Sequence, residues 1–249
     1  MKSLKWYIGC SGFAYKEWKD FFYPSGIPQS RWFQHYCEHF NTLEINSTFY
    51  RFPKAQSLRT WYNKSPDDFL FSVKVPKFIT HYRHLTGESA RMLGEFYELL
   101  NEGLSEKLGC VLFQMPSKFH YNEENLERVT SLLNNNYLNT IEFRHESWWN
   151  TNTYTELKKN NIIFCGHSYP GLPDNAIATT TTIYYRFHGV PVLYKSEYNK
   201  RFLKKIFYQI SNHTGSSTYL YFNNTWGTSA ITNAKYIQKV VEKHLKTNK

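Results

Sequence analysis

CVLFQM (Cys110–Met115), EENLERVTSLLN (Glu123–Asn134) and TIEFR (Thr140–Arg144) decide the fold. The outer two are short runs of branched and aromatic residues, the composition of strands. In the middle segment Leu126, Val129, Leu132 and Leu133 recur at helical spacing and share one face. Strand, helix, strand over so short a span is a βαβ unit with parallel strands. Side chains two apart on a strand share a side. Glu142 and Arg144 therefore point one way and Ile141 and Phe143 the other, so an apolar run ends in charge.

The same unit repeats outward in both directions. Further strands are expected at Trp6–Cys10, Thr42–Ile45, Phe69–Val75, Ile162–Gly166, Ile183–Phe187 and Thr218–Phe222. Helices are expected at Arg31–Phe40, Ser57–Asn63, Ser89–Leu108, Tyr154–Asn160, Lys200–Ser211 and Ala230–Leu245. In Ser89–Leu108 the apolar positions Met92, Leu93, Phe96, Leu99, Leu100 and Leu104 hold a helical period, and Gly109 is placed to stop it. Eight strands in 249 residues suit one (β/α)8 TIM barrel, which typically takes about 250. No GxGxxG follows the first strand, which argues against a dinucleotide-binding sheet. Between strands six and seven, Ser168–Thr182 contains Pro170, Gly171 and Pro173 and no helical period. A loop is expected there, which makes the barrel slightly irregular. No linker or repeat divides the chain, so residues 1–249 read as a single domain.

The formal net charge is +10 and the pI about 9.3. A basic balance suits anionic partners, although Lys158, Lys159, Lys204 and Lys205 read as solvated helix faces. Cys10, Cys37, Cys110 and Cys165 show no CxxC or zinc spacing and read as reduced thiols of a cytoplasmic protein. The opening MKSLKWYIGC resembles a lipoprotein leader only superficially, because its apolar stretch is far shorter than a signal sequence needs. No run approaches the length of a membrane span, so no membrane partner is expected.

Several strings together resemble a known family. They are GCSGFAYKEWKDFFYP (Gly9–Pro24), FNTLEINSTFYRFP (Phe40–Pro53), FSVKVPKFITH (Phe71–His81), LGCVLFQMP (Leu108–Pro116), IEFRHESWW (Ile141–Trp149), YYRFHG (Tyr184–Gly189) and YFNNTWGTSAITNA (Tyr221–Ala234). In this order they are similar to the domain-of-unknown-function-72 (DUF72), or YecE-like, proteins, from about residue 6 to residue 240. The resemblance implies a TIM barrel and no agreed activity. Members of that family often carry an aspartate where this chain has Thr225, and another at the end of strand six where it has Gly166 and His167.

Active sites of TIM barrels lie at the C-terminal strand ends. Those ends hold Ser11, Glu44, Asn46, Lys74, Gln114, Glu142, Arg144, His167, Arg186, His188, Asn223 and Asn224. Glu44, Glu142 and His188 are the candidates for proton transfer, since carboxylates and imidazole are the usual general acids and bases. Lys74, Arg144 and Arg186 suit a phosphate or carboxylate group, with Asn46, Gln114, Asn223 and Asn224 as further substrate-binding residues. Lys74 is the expected partner of Glu44. No aspartate stands at a strand end and three cations crowd the carboxylates, so no metal and no organic cofactor is expected. Cys10 reads as core and Ser11 as shaping the turn at Gly12.

Phe13, Tyr15, Lys16, Trp18, Lys19, Trp148, Trp149 and Trp226 follow strand ends. Such aromatic and basic residues suit stacking beside a phosphate, although Trp18 and Trp148 read as buried caps. Three functions stay open: a cofactor-independent hydrolase or isomerase acting on a small anionic molecule, a nucleic-acid-binding or nuclease-like protein, and a non-catalytic ligand-binding barrel.

Overall fold

The structure is a computed structural model that describes residues 4–247; the first three residues of the opening stretch lie outside the described residues. The strands are β1 (Lys5–Cys10), β2 (Thr42–Ile45), β3 (Leu70–Lys74), β4 (Leu108–Gln114), β5 (Leu138–Glu142), β6 (Ile163–Ser168), β7 (Thr182–Phe187) and β8 (Ser217–Phe222). Between and after them run α1 (Trp32–His39), α2 (Ala55–Lys64), α3 (Ala90–Leu104), α4 (Glu123–Leu132), α5 (Thr151–Lys159), α6 (Lys200–Ser211) and α7 (Ser229–Thr247). The strand order β1-β8-β7-β6-β5-β4-β3-β2 and the strand–helix alternation are those of a (β/α)8 barrel. No helix joins β6 to β7, as the prolines and glycine of that segment dictate.

The chain forms two compact units, one of Met1–Leu43 with Gly166–Lys249, the other Glu44–Cys165. In the first, the pairings run in layers. Tyr7, Tyr219 and Tyr184 are mutual register partners, followed two residues on by Gly9, Tyr221 and Arg186. The tyrosine rings of one layer stack, with centroids 4.7 Å apart for Tyr7–Tyr219 and 6.1 Å for Tyr184–Tyr219. Gly9 is obligatory here, because a Cβ would lie 2.1 Å from the Thr42 carbonyl oxygen. Trp18 is fully buried and donates from Nε1 to the Gly227 carbonyl at 2.9 Å. Cys10 is fully buried, and burial pushes its thiol far up, which suits the core better than nucleophilic chemistry.

In the second unit β4 pairs with β5 without interruption, Gln114 opposite Glu142. Between β3 and β4 the register shifts: Phe71 faces Leu108, but Val73 faces Val111 and Lys74 faces Leu112. One extra residue of β4 is taken up there, a bulge. Trp148 is fully buried, stacks on Phe143 at 3.9 Å and donates to the Phe119 carbonyl at 2.7 Å.

The long helix ends earlier than its sequence suggests. α3 stops at Leu104, with Ser105 turning the chain at φ 46°, and Gly109 lies inside β4. Gly103 serves packing instead, since a Cβ there would stand 2.4 Å from Leu58 Cβ on α2.

Candidate functional site

In the second unit, the ends of β2 to β5 hold six predicted residues, of which Glu44 and Asn46 form a pair and Lys74, Gln114, Glu142 and Arg144 a linked chain. Glu44 is fully buried on β2 and accepts from Asn46 Nδ2 at 3.1 Å. Lys74, the last residue of β3, donates from Nζ to Gln114 Oε1 at 2.7 Å. Gln114 passes the connection on, its Nε2 donating to Glu142 Oε1 at 2.7 Å. Arg144 closes the chain, with Nε and Nη2 each 2.5 Å from the same Oε1, while the Cys165 thiol donates to Glu142 Oε2 at 3.8 Å. Glu142 has no exposed surface. A carboxylate so deep is tolerable only when charge and hydrogen bonds compensate it, and Arg144 and Gln114 supply both. Lys74 is almost as deeply placed, and its ammonium rests 3.7 Å from the centroid of the Phe49 ring, a cation–π contact.

His81 belongs to this group and was missed by sequence reasoning. It sits seven residues past Lys74, in the loop zone by strand counting. A turn of π-helix, Phe78–Tyr82, carries it back toward the strand ends; such turns gather at functional sites. Its ring packs edge-on against Phe49, centroids 4.9 Å apart, and its Nδ1 pairs with the Thr80 hydroxyl at 2.9 Å. Burial, with Lys74, His84 and Arg144 adding repulsion and Glu142 opposing them, lowers its pKa to about 4. His81 is thus an uncharged imidazole at neutral pH beside two cations. The only signal in the sequence was its place in FSVKVPKFITH, where nothing marks a π-turn.

In the first unit, the ends of β6, β7 and β8 gather another set. Arg186 and His188 leave β7 with matching parity and are both buried. Asn223 Nδ2 donates to His188 Nδ1 at 2.9 Å, which puts the proton of a neutral ring on Nε2. The His167 and Tyr169 rings meet His188 edge-on at 5.9 and 5.8 Å. Gly189 turns the chain at φ 87°, a conformation open to glycine, and its amide donates to the Tyr198 hydroxyl at 2.7 Å. A cavity of about 350 Å³ opens here, lined among others by Ser168, Tyr169, Asp174, Glu197, Tyr198 and Phe202, a volume within the range of small-ligand sites. Asn224 lies deeper and has other duties. Its Nδ2 donates to the Ser196 carbonyl and to Asn233 Oδ1, both at 3.0 Å, and so pins the segment after β7. Ser11 is buried at the end of β1, and its carbonyl accepts a hydrogen bond from the Tyr15 hydroxyl.

Comparison with known proteins places this architecture. The sequence profile described as "Protein of unknown function DUF72" matches residues 7–249. The chain belongs to the DUF72 family. Among curated relatives, UPF0759 protein YunF of Bacillus subtilis is 25% identical, with 95% of this chain and 94% of that one aligned. UPF0759 protein YecE of Escherichia coli is 29% identical over 113 residues, covering 45% of this chain and 38% of its own length. The crystal structure of a DUF72 family protein from Thermotoga maritima superposes with a TM-score of 0.84 at 29% identity, covering 96% of this chain and 99% of that one. The DUF72 positions at which the sequence departs from expectation are both buried: Thr225 after the Asn223–Asn224 pair, and His167 on β6. Among the described residues, no helix of this DUF72 protein is long and apolar enough to cross a membrane.

Proposed function

We propose that this DUF72 protein is a cofactor-independent enzyme of the hydrolase or isomerase type. Its substrate is a small molecule bearing a phosphate or carboxylate, bound at the C-terminal strand ends. The observation that carries this reading is the trio of Lys74, Arg144 and His81 around Glu142: two fixed cations and a neutral imidazole at one rim. Lys74 and Arg144 orient the anionic group, as ammonium and guanidinium donors do. His81, uncharged at working pH, adds a neutral hydrogen-bonding group beside the two cations. Within the second unit, Glu44 and Glu142 are assigned to proton transfer, and Asn46 and Gln114 to substrate binding or its support. Network residues such as Gln114 act by holding Lys74 and Glu142 in place, a prerequisite for precise positioning.

The experiment is a titration with inorganic phosphate followed by amide NMR on the wild type and on Lys74→Gln. Saturable shifts at Lys74, His81 and Arg144 are expected, weakened about tenfold or more in the variant, roughly 1.4 kcal/mol. Equal affinity in both proteins overturns the reading.

A nucleic-acid ligand is the second reading, favoured by exposed aromatic–cation pairs. Lys77 Nζ lies 5.8 and 5.5 Å from the exposed rings of Tyr50 and Tyr82, and Lys195 Nζ 4.6 Å from exposed Trp226. Such pairs suit stacking on bases beside a backbone phosphate. Binding of single-stranded DNA whose affinity falls steeply with salt and is lost in Tyr50→Ala/Tyr82→Ala supports it over the first.

A further inference from the structure

His35, Glu38 and His39 on α1 form a second chemical cluster, outside the strand-end residues. The string HYCEH has the spacing His-x-x-Glu-His, and on a helix residues three and four apart share a face. One ligand atom from each of the three lies within 4.8 Å of the others. His35 Nδ1 stands 3.4 Å from Glu38 Oε2, and the His35 and His39 ring centroids are 4.7 Å apart.

The second observation fixes the ligand atom. His35 Nε2 sits 2.8 Å from the Phe22 carbonyl oxygen. A carbonyl only accepts, so Nε2 carries a proton, and Nδ1, facing Glu38, is the nitrogen that a metal ion would take in place of a proton. Metal-binding histidines are characteristically held in this way, the far nitrogen donating to a backbone carbonyl. The cluster also lies at the C-terminal end of α1, where the helix dipole favours positive charge. Opposing it, the Lys235 ammonium lies 5.0 Å from the centroid of the Phe22 ring, which keeps the affinity moderate.

We infer that His35, Glu38 and His39 hold a divalent transition-metal ion of the zinc class. Two imidazole nitrogens and one carboxylate oxygen are a donor set for such ions rather than for calcium or magnesium. Water completes the coordination on the exposed side. The ion clips α1 to the Phe22 segment through His35, so its role is structural and lies apart from the proposed chemistry.

The test is calorimetric titration of the whole protein with zinc chloride, alongside thermal melts with and without the ion. The variants are Glu38→Gln and His39→Gln, at positions whose side chains reach solvent; circular dichroism without metal confirms that each folds. One stoichiometric equivalent of moderate affinity is expected in the wild type, with a melting temperature that rises on addition of zinc. Each variant is expected to bind at least about tenfold more weakly and to lose that rise. Absence of a stoichiometric site in the wild type, or equal affinity in wild type and both variants, overturns the assignment.

Discussion

Arg144 reaches back two residues to grip Glu142, with Nε and Nη2 each 2.5 Å from a single carboxylate oxygen. Because Glu142 is fully buried and the Arg144 side chain only 8% exposed, the pair depends on both members. Arg144→Ala is expected to destabilise the protein by about 3–5 kcal/mol, mainly by leaving a buried carboxylate without its cation. The double variant Arg144→Ala/Glu142→Gln should recover part of that loss. Urea denaturation of the three proteins measures it; a double variant no more stable than Arg144→Ala would place the cost elsewhere.

The pKa of His81, lowered from 6.5 to about 4, gives a pH signature. Between these values the unfolded chain takes up a proton that the folded chain refuses. Stability from this group is therefore complete above about pH 6.5 and is lost as pH falls toward 4. His81→Gln should flatten that part of the stability curve, and NMR titration of the ring should report a midpoint well below the ordinary histidine range. A midpoint near 6.5 would contradict the geometry.

Gly103 predicts a packing defect. A methyl group there meets Leu58 Cβ at 2.4 Å, so Gly103→Ala, which improves intrinsic helix propensity, should nonetheless cost about 1–3 kcal/mol by overpacking. Adding Leu58→Ala should relieve the clash. Thermal melts of the single and double variants decide it through their departure from additivity.

Lys107 is buried, and its ammonium donates to the carbonyls of Tyr62 and Ser65 at 2.9 Å and to the Ser65 hydroxyl at 3.2 Å. It satisfies groups at the C-terminal end of α2, where a cation is favoured. Lys107→Met keeps the stem and removes the donors. A loss of about 1.5–3 kcal/mol is expected, read from chemical denaturation.

The strands were legible because each couples a strand-forming run to a change of polarity at its end, as TIEFR does. The helix stop was misread because glycine is the usual terminator, whereas here Ser105 adopts the left-handed turn and Gly103 is kept for contact with Leu58. Parity alone put Glu142 and Arg144 on one side, and the structure adds that they grip each other. It could not place His81, whose position depends on a π-turn with no sequence signature. Nor could it reveal that Asn224 serves a loop, because Ser196 and Asn233 lie far from it in sequence. His35, Glu38 and His39 stand in the sequence as a helical spacing on α1, away from the strand ends.

The extra residue absorbed between Phe71 and Val73 sets which side chain meets Lys74. Removing one residue of β4 between Leu108 and Val111 would rephase everything beyond it. Met115 would then take the position of Gln114, and a thioether would face the ammonium. A single deleted codon, with no catalytic side chain altered, would dismantle the relay from Lys74 to Glu142, so tolerance to length change in this strand separates a rim held for chemistry from one that is only filler.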